Sequence, residues 1–322
     1  MNRKFLTTVV VTAIALATQV NAGFVDITGG YNVLTFGDFT SFNDQTWGSL
    51  AASGNVTIKN SYSIGTQWAN TGNYPANVLV AGGNVYLRNE MWNGGGSVWG
   101  GISAGGTVKI ADGYTVHGDT KQGVDVNNIF DFNDAKAQID NFSEQLAANS
   151  GTEVWRDQSN VLNFKDVADE DVIFYTVDAK DLEQVSSLYF ENLDKQYVIN
   201  VDGNGSDIAL KHIDKFNYRT GDTLTGSNIL FNIRNASSMD LGSFYGSILA
   251  VDTDVTGNYG QMYGTLVAKS FDGQYQFHQV NPGDFDPPTP PPSVPESSTT
   301  TMLVAGAIFL LFLSRKNVLV RK

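Results

Sequence analysis

Asp252 and Asp254 stand two residues apart after Leu249-Ala250-Val251, and in a strand that spacing places both side chains on one face. Two carboxylates so placed are the groups that glycoside hydrolysis uses as acid and base, or that a calcium ion takes as ligands. The position is also one where a turn is expected, and exposed aspartates are ordinary turn residues, so no catalytic residue is assigned. Asp202, Asn204 and Ser206 alternate in Val201-Asp202-Gly203-Asn204-Gly205-Ser206-Asp207, as oxygen ligands do at the start of a calcium loop. Asp207 replaces the glycine that such a loop needs sixth, and Ile213 replaces the glutamate needed twelfth, so the segment reads as a polar hairpin turn. His117, His212 and His278 are isolated and cysteine is absent, which removes zinc motifs and thiol chemistry. Neither a metal nor a cofactor is expected, and the chain reads as a non-enzyme.

Aromatic residues offer binding instead. Trp47, Trp68, Trp92, Trp99 and Trp155 lie mostly in the N-terminal half. Trp92 and Trp99 flank glycine-rich stretches, and on a loop they would make an apolar platform for a glycan; burial in the core is the ordinary alternative for so large a side chain. Thr57, Thr107, Thr253 and Thr265 do not recur in one slot of the repeats described next, so a regular threonine face for ice is not expected. A formal net charge of -13 argues against nucleic acid, whose phosphates require clustered Lys and Arg.

The elements that would carry these residues are short strands. Leu50-Ala51-Ala52-Ser53-Gly54-Asn55-Val56 returns as Leu79-Val80-Ala81-Gly82-Gly83-Asn84-Val85 and as Ile102-Ser103-Ala104-Gly105-Gly106-Thr107-Val108. Gly246-Ser247-Ile248-Leu249-Ala250 and Gly264-Thr265-Leu266-Val267-Ala268 form a later pair. Intervals of this size predict the coils of a solenoid. Alternation in Val56-Thr57-Ile58 and Val108-Lys109-Ile110 sends Val and Ile inward, and 33 glycines supply corners. The fold class is mainly β, a right-handed parallel β-helix, with a β-sandwich as the alternative. Residues 131–149 break the pattern: Phe132, Ala135, Ile139, Phe142 and Leu146 mark one face of an amphipathic α-helix, capped by Asp131 or Asn133, that would lie beside the β-helix and cover an open edge.

Both ends carry targeting signals. Arg3 and Lys4 precede the apolar run from Phe5 to Ala17, and Val20-Asn21-Ala22 suits signal peptidase, so residues 1–22 are a signal peptide cleaved between Ala22 and Gly23. After a domain over residues 23–285 come a Pro-rich linker with Val294-Pro295-Glu296 (286–297), a hydrophobic segment (298–314) and a basic cytoplasmic tail (315–322). This arrangement resembles the PEP-CTERM sorting signal, with Ser297 where that motif has its second proline. The resemblance implies an exosortase-like processing enzyme as partner, an inner-membrane intermediate, and final residence on the cell surface or in the extracellular matrix of a Gram-negative-type bacterium.

The body resembles the choice-of-anchor A domain, through Tyr31-Asn32-Val33-Leu34-Thr35-Phe36-Gly37-Asp38-Phe39, the Gly-Asn-Val repeats, Tyr245-Gly246-Ser247-Ile248-Leu249-Ala250, and Gly264-Thr265-Leu266-Val267-Ala268-Lys269-Ser270-Phe271. That resemblance implies an adhesive role and a layout similar to the ice-binding β-helix with its flanking helix. It supplies no catalytic residue. Extracellular polysaccharide or another surface is the expected partner, and a polysaccharide-active enzyme or glycan-binding module on the same scaffold is the alternative function. Residues 153–235 match less clearly.

Overall fold

The structure, a computed structural model, describes residues 23–280 and Phe285, except 91–93, 150, 153, 193, 211–214 and 218–227. Leu50, Leu79 and Ile102, the opening residues of the three repeats, face one another on adjacent parallel strands, as do Val56, Val85 and Val108. Each repeat is therefore one coil of a parallel β-helix. Twenty-one described strands join into one sheet that wraps the stack. The sandwich alternative falls because it needs antiparallel partners, and among the described strands only Trp155–Arg156 and Val161–Phe164 pair that way.

The coils built from the N-terminal repeats have three faces. The first holds strands such as Val33–Thr35, Leu50–Ala52 and Leu79–Ala81. The second holds Phe39–Phe42, Val56–Lys59 and Val85–Arg88. The third holds Gln45–Thr46, Ser63–Ile64 and Ser97–Val98, continued by the ends of the long strands Ser247–Tyr263 and Leu266–His278. Alternation buries Leu50, Ala52, Val56, Ile58 and Ile64 inside the coil. Ile110 faces inward by register with Leu87, yet it is 43% exposed because no described strand stacks beyond it at that end.

The recurring Gly-Asn-Val triplet has a structural cause at the corner between the first two faces. Asp38 Oδ1 accepts from the Asn55 backbone N–H at 2.6 Å, Asn55 Oδ1 from the Asn84 N–H at 2.9 Å, and Asn84 Oδ1 from the Thr107 N–H at 2.9 Å. Each side chain thus satisfies a corner N–H of the next coil. The preceding glycine is required by close approach: a Cβ on Gly83 would sit 2.7 Å from Asn55 Oδ1.

Coil order in space differs from coil order in the chain. Val33–Thr35 lies between Leu50–Ala52 and Leu266–His278, so the first and last coils meet in the middle of the stack. From Val33 the coils step outward to Thr120–Gln122. The chain resumes its coils at Val172–Asp178 and steps back through Gln196–Asp202 and Ile229–Arg234 to the middle. Among the described residues three α-helices accompany the strands: α1 (Phe24–Ile27), α2 (Phe132–Ala147) and α3 (Ala179–Gln184).

Helix α2 matches the amphipathic helix read from the sequence, with Asp131 accepting from the N–H groups of Asn133 and Asp134. Its position corrects one expectation: α2 covers the first face rather than an edge. The outward residues Leu34, Val198, Leu230, Leu249 and Val267 form a second core with Ile139, Phe142 and Leu146. A strand such as Leu79–Ala81 is buried on both sides, which demands a covering layer. Two turn expectations also change. Asp252 and Asp254 lie within the strand Ser247–Tyr263, at a register shift rather than a turn. Residues 203–206 form a corner between faces, not a hairpin, because Asp207–Ala209 pairs in parallel with Ser238–Leu241.

Candidate functional site

On the third face, strands of two or three residues repeat the same outward slot. Gln261 pairs with Gln276, and Phe277 with Thr46, so Gln261, Gln276 and Gln45 occupy one slot on three successive coils. Ser63, Ser97 and Thr115 continue the row. Two residues further along each strand the slot is aromatic: Tyr245, Tyr263, His278, Trp47 and, past Gly65, Trp99 and His117. Gly65 interrupts the aromatic column between Trp47 and Trp99: its φ is 77°, and a Cβ there would lie 2.7 Å from Val78 Cγ1 and 3.2 Å from the Trp68 ring.

These rings spend their faces on one another. Tyr245 and Tyr263 stack at 4.7 Å, Tyr263 and His278 at 4.2 Å, and Trp99 and His117 at 3.9 Å. Trp47 stands at 63° to His278 and is 39% exposed, so the column offers ring edges along most of its length and an indole at Trp47. His278 is buried between Tyr263 and Trp47, with neither ring nitrogen hydrogen-bonded among the described residues. Desolvation holds its pKa below the usual imidazole value, so the ring is neutral.

Neither outward row of the third face contains an Asp, Glu, Lys or Arg side chain. On the second face the corresponding slot holds Asp240, Asp272 and Lys109 among Thr256, Thr40, Thr57 and Tyr86. The half-buried amides of Gln261, Gln276 and Gln45 make no hydrogen bond within the chain among the described residues. This is unlike the amide ladder of Asp38, Asn55 and Asn84, which is closed on itself.

A family model described as "Putative Ice-binding-like adhesive domain" matches residues 24–279. The chain belongs to this family. Solved structures of ice-binding proteins overlap it at low identity. One from an Antarctic biological consortium is 13% identical, with 86% of this chain and 94% of that chain covered and a TM-score of 0.34. A glycosylated protein from an Arctic yeast is 12% identical, with 85% and 98% covered and a TM-score of 0.39. A domain from Shewanella frigidimarina is 13% identical, with 82% and 98% covered and a TM-score of 0.37. At those scores the likeness carries no inference about ligand, and the fold rests on the strand register itself. No curated protein matches the chain.

In this adhesive domain the candidate acids are engaged in structure. Asp252 accepts from Lys136 of α2 at 3.1 Å, and Asp254 accepts from Lys269 and Ser270, both at 2.6 Å. The latter two bonds hold the Asp254 carboxyl below its ordinary pKa, the reverse of what a general acid at neutral pH requires. A cleft of roughly 310 Å³ beside Asp252 also presents Asp140, Glu144 and Arg234. Asp140 shares Lys136 with Asp252 across that cleft. No group of three or more His, Cys, Asp or Glu among the described residues is placed to hold a metal. Asp202 accepts from the Asn204 N–H and from Asn235, fixing its corner.

The adhesive domain places Trp99 half-buried, with one ring face against His117 and Tyr74 tilted beside both. Trp92, Ala22, Val294, Pro295 and Glu296 lie outside the described residues, and Gly23 precedes α1. No described helix is long and apolar enough to cross a membrane, and residues 298–314 are not among those described. Trp47, Gln45, Gln276 and His278 were not singled out as a site from the sequence. The available signal was the i, i+2 pairing of an amide with an aromatic in Gln45-Thr46-Trp47 and Gln276-Phe277-His278.

Proposed function

We propose that this chain is an exported adhesion protein that holds a cell or its matrix to extracellular polysaccharide through the third face of the β-helix. One observation carries the reading: Gln261, Gln276 and Gln45 present open amides beside an exposed Trp47, while Asp252 and Asp254 are held by lysines. A face that repeats one chemistry over many coils suits binding to a repetitive surface; catalysis requires a few convergent groups with shifted pKa values. The enzyme alternative has no such convergence behind it among the described residues. Ice binding is not extended to this chain, because Thr253 and Thr265 are buried and Thr57 shares its row with Asp272 and Lys109. A thermal-hysteresis assay checks that exclusion, with no freezing gap expected.

The route to the surface is part of the same proposal: signal peptidase removes residues 1–22, and an exosortase-like enzyme processes the chain at Val294-Pro295-Glu296 from an inner-membrane intermediate. Intact mass and fractionation of the native protein, compared with Glu296→Ala, test it. Loss of the residues beyond the Pro-Glu motif in the wild type alone is the expected result; a full-length wild-type protein in the inner membrane would end the sorting reading. Adhesion itself is tested by comparing attachment of cells with and without the protein, and equal attachment would end the adhesive reading.

A further inference from the structure

We infer that the ligand of the third face is an uncharged polysaccharide whose chain runs across the coils, along the row of Gln261, Gln276 and Gln45. This rests on the adhesive reading above and narrows it to a chemical class and a direction. The first reason is charge. Two outward rows without a lysine or arginine, on a chain of formal net charge -13, give an anionic polymer no permanent cation to pair with and a repulsive field to cross. A hydroxyl-rich neutral polymer meets neither obstacle.

The second reason is spacing. The three amides sit on consecutive parallel strands, so the same donor and acceptor recur every ~4.8 Å along the stack axis. An extended polymer with a short, identical repeat can engage such a row at several points, whereas a ligand running along a strand would meet only two outward residues before the corner. Because the amides are not bonded to one another, each keeps a carbonyl and an NH2 for hydroxyl groups. Trp47 supplies the apolar contact, since its indole is 39% exposed at the coil that also carries Gln45. Ring edges of Tyr263 and His278 border the amides without competing for the sugar face. The strip is too polar and too narrow to serve as the apolar centre of a stable protein interface.

The test is affinity electrophoresis of the native full chain through gels containing either hydroxyethyl cellulose, as a neutral polymer, or alginate, as an acidic one. Variants are Gln45→Glu with Gln276→Glu, Trp47→Ala, and Thr40→Glu with Thr57→Glu on the second face as a control, all checked for unchanged circular dichroism. Retardation by the neutral polymer, weakened about tenfold by either third-face variant and unchanged in the control, is the expected result. No retardation by the neutral polymer, retardation by alginate alone, or equal loss in the control would each overturn the inference. If in addition cells lacking the protein attach as well as wild type, the adhesive reading falls with it; if they attach poorly, only the ligand class was wrong.

Discussion

Asn232 donates its side-chain amide to Oδ1 of Asn200 at 2.9 Å, and the two residues are register partners on neighbouring strands of the first face. Asn232 also donates to the Ser143 carbonyl at 2.9 Å and accepts from the Ser143 hydroxyl at 2.6 Å, while Asn200 donates to the Leu146 carbonyl at 2.9 Å. Two buried amides in an otherwise apolar interface thereby fix where α2 lies along the stack. Hydrophobic contact alone would allow the helix to slide, since Leu230, Leu249 and Val267 offer similar seats.

Removing one member of this network leaves others buried without partners. Asn232→Ala is expected to lower stability by about 2 kcal/mol. A reduced urea midpoint checks it, and faster amide hydrogen exchange in α2 than in the inner strands would place the damage at the helix interface.

The coil core is sensitive to small additions where backbones meet. A Cβ on Gly273 would lie 1.9 Å from the Gly257 carbonyl oxygen on the adjoining strand. Gly273→Ala must push two coils apart and is expected to cost about 3 kcal/mol. Gly205→Ala serves as comparison: its φ is 74° but no atom lies within 4 Å, so a backbone cost of about 1 kcal/mol is expected. Similar losses in the two variants would contradict this account.

The buried His278 predicts a pH dependence with a definite sign. Its pKa is lowered in the folded protein by desolvation, so below the ordinary histidine pKa of about 6.5 the unfolded chain takes up a proton that the folded one refuses. The stability present in full above that pH is lost as pH falls toward the folded-state pKa. Denaturation at about pH 7.5 and about pH 5, on either side of the ordinary histidine pKa of about 6.5, should show a larger drop for wild type than for His278→Phe, which keeps the ring stack with Tyr263.

Asp131 accepts from two N–H groups at the start of α2, at 3.0 and 3.1 Å. Asp131→Ala is expected to cost about 1 kcal/mol, visible in the melting temperature, and Asp131→Ser should recover most of it.

Much of this architecture is written locally. The repeats beginning at Leu50, Leu79 and Ile102 differ in length yet align residue for residue, because each carries the Gly corner and the Val or Ile that the coil needs. The apolar stripe from Phe132 to Leu146 identifies α2 for the same reason: a helix face and its cap lie within one short window. Even the corner ladder is legible afterwards in Gly37-Asp38-Phe39, Gly54-Asn55-Val56 and Gly83-Asn84-Val85.

What the sequence by itself determined about this protein is therefore its coils, its lateral helix and, through the lack of cysteine, that it has no thiol to use. Tertiary structure alone decided that Val33–Thr35 meets Leu266–His278 in the middle of the stack, that Asn200 meets Asn232 under α2, and that Gln261, Gln276 and Gln45 form one row beside Trp47. Parallel pairing joins residues a whole coil or a whole chain apart, and strands of two or three residues are too short to reveal an outward row by their own alternation. The site is thus a property of stacking, in which single unremarkable residues become a surface only when the coils bring them into register.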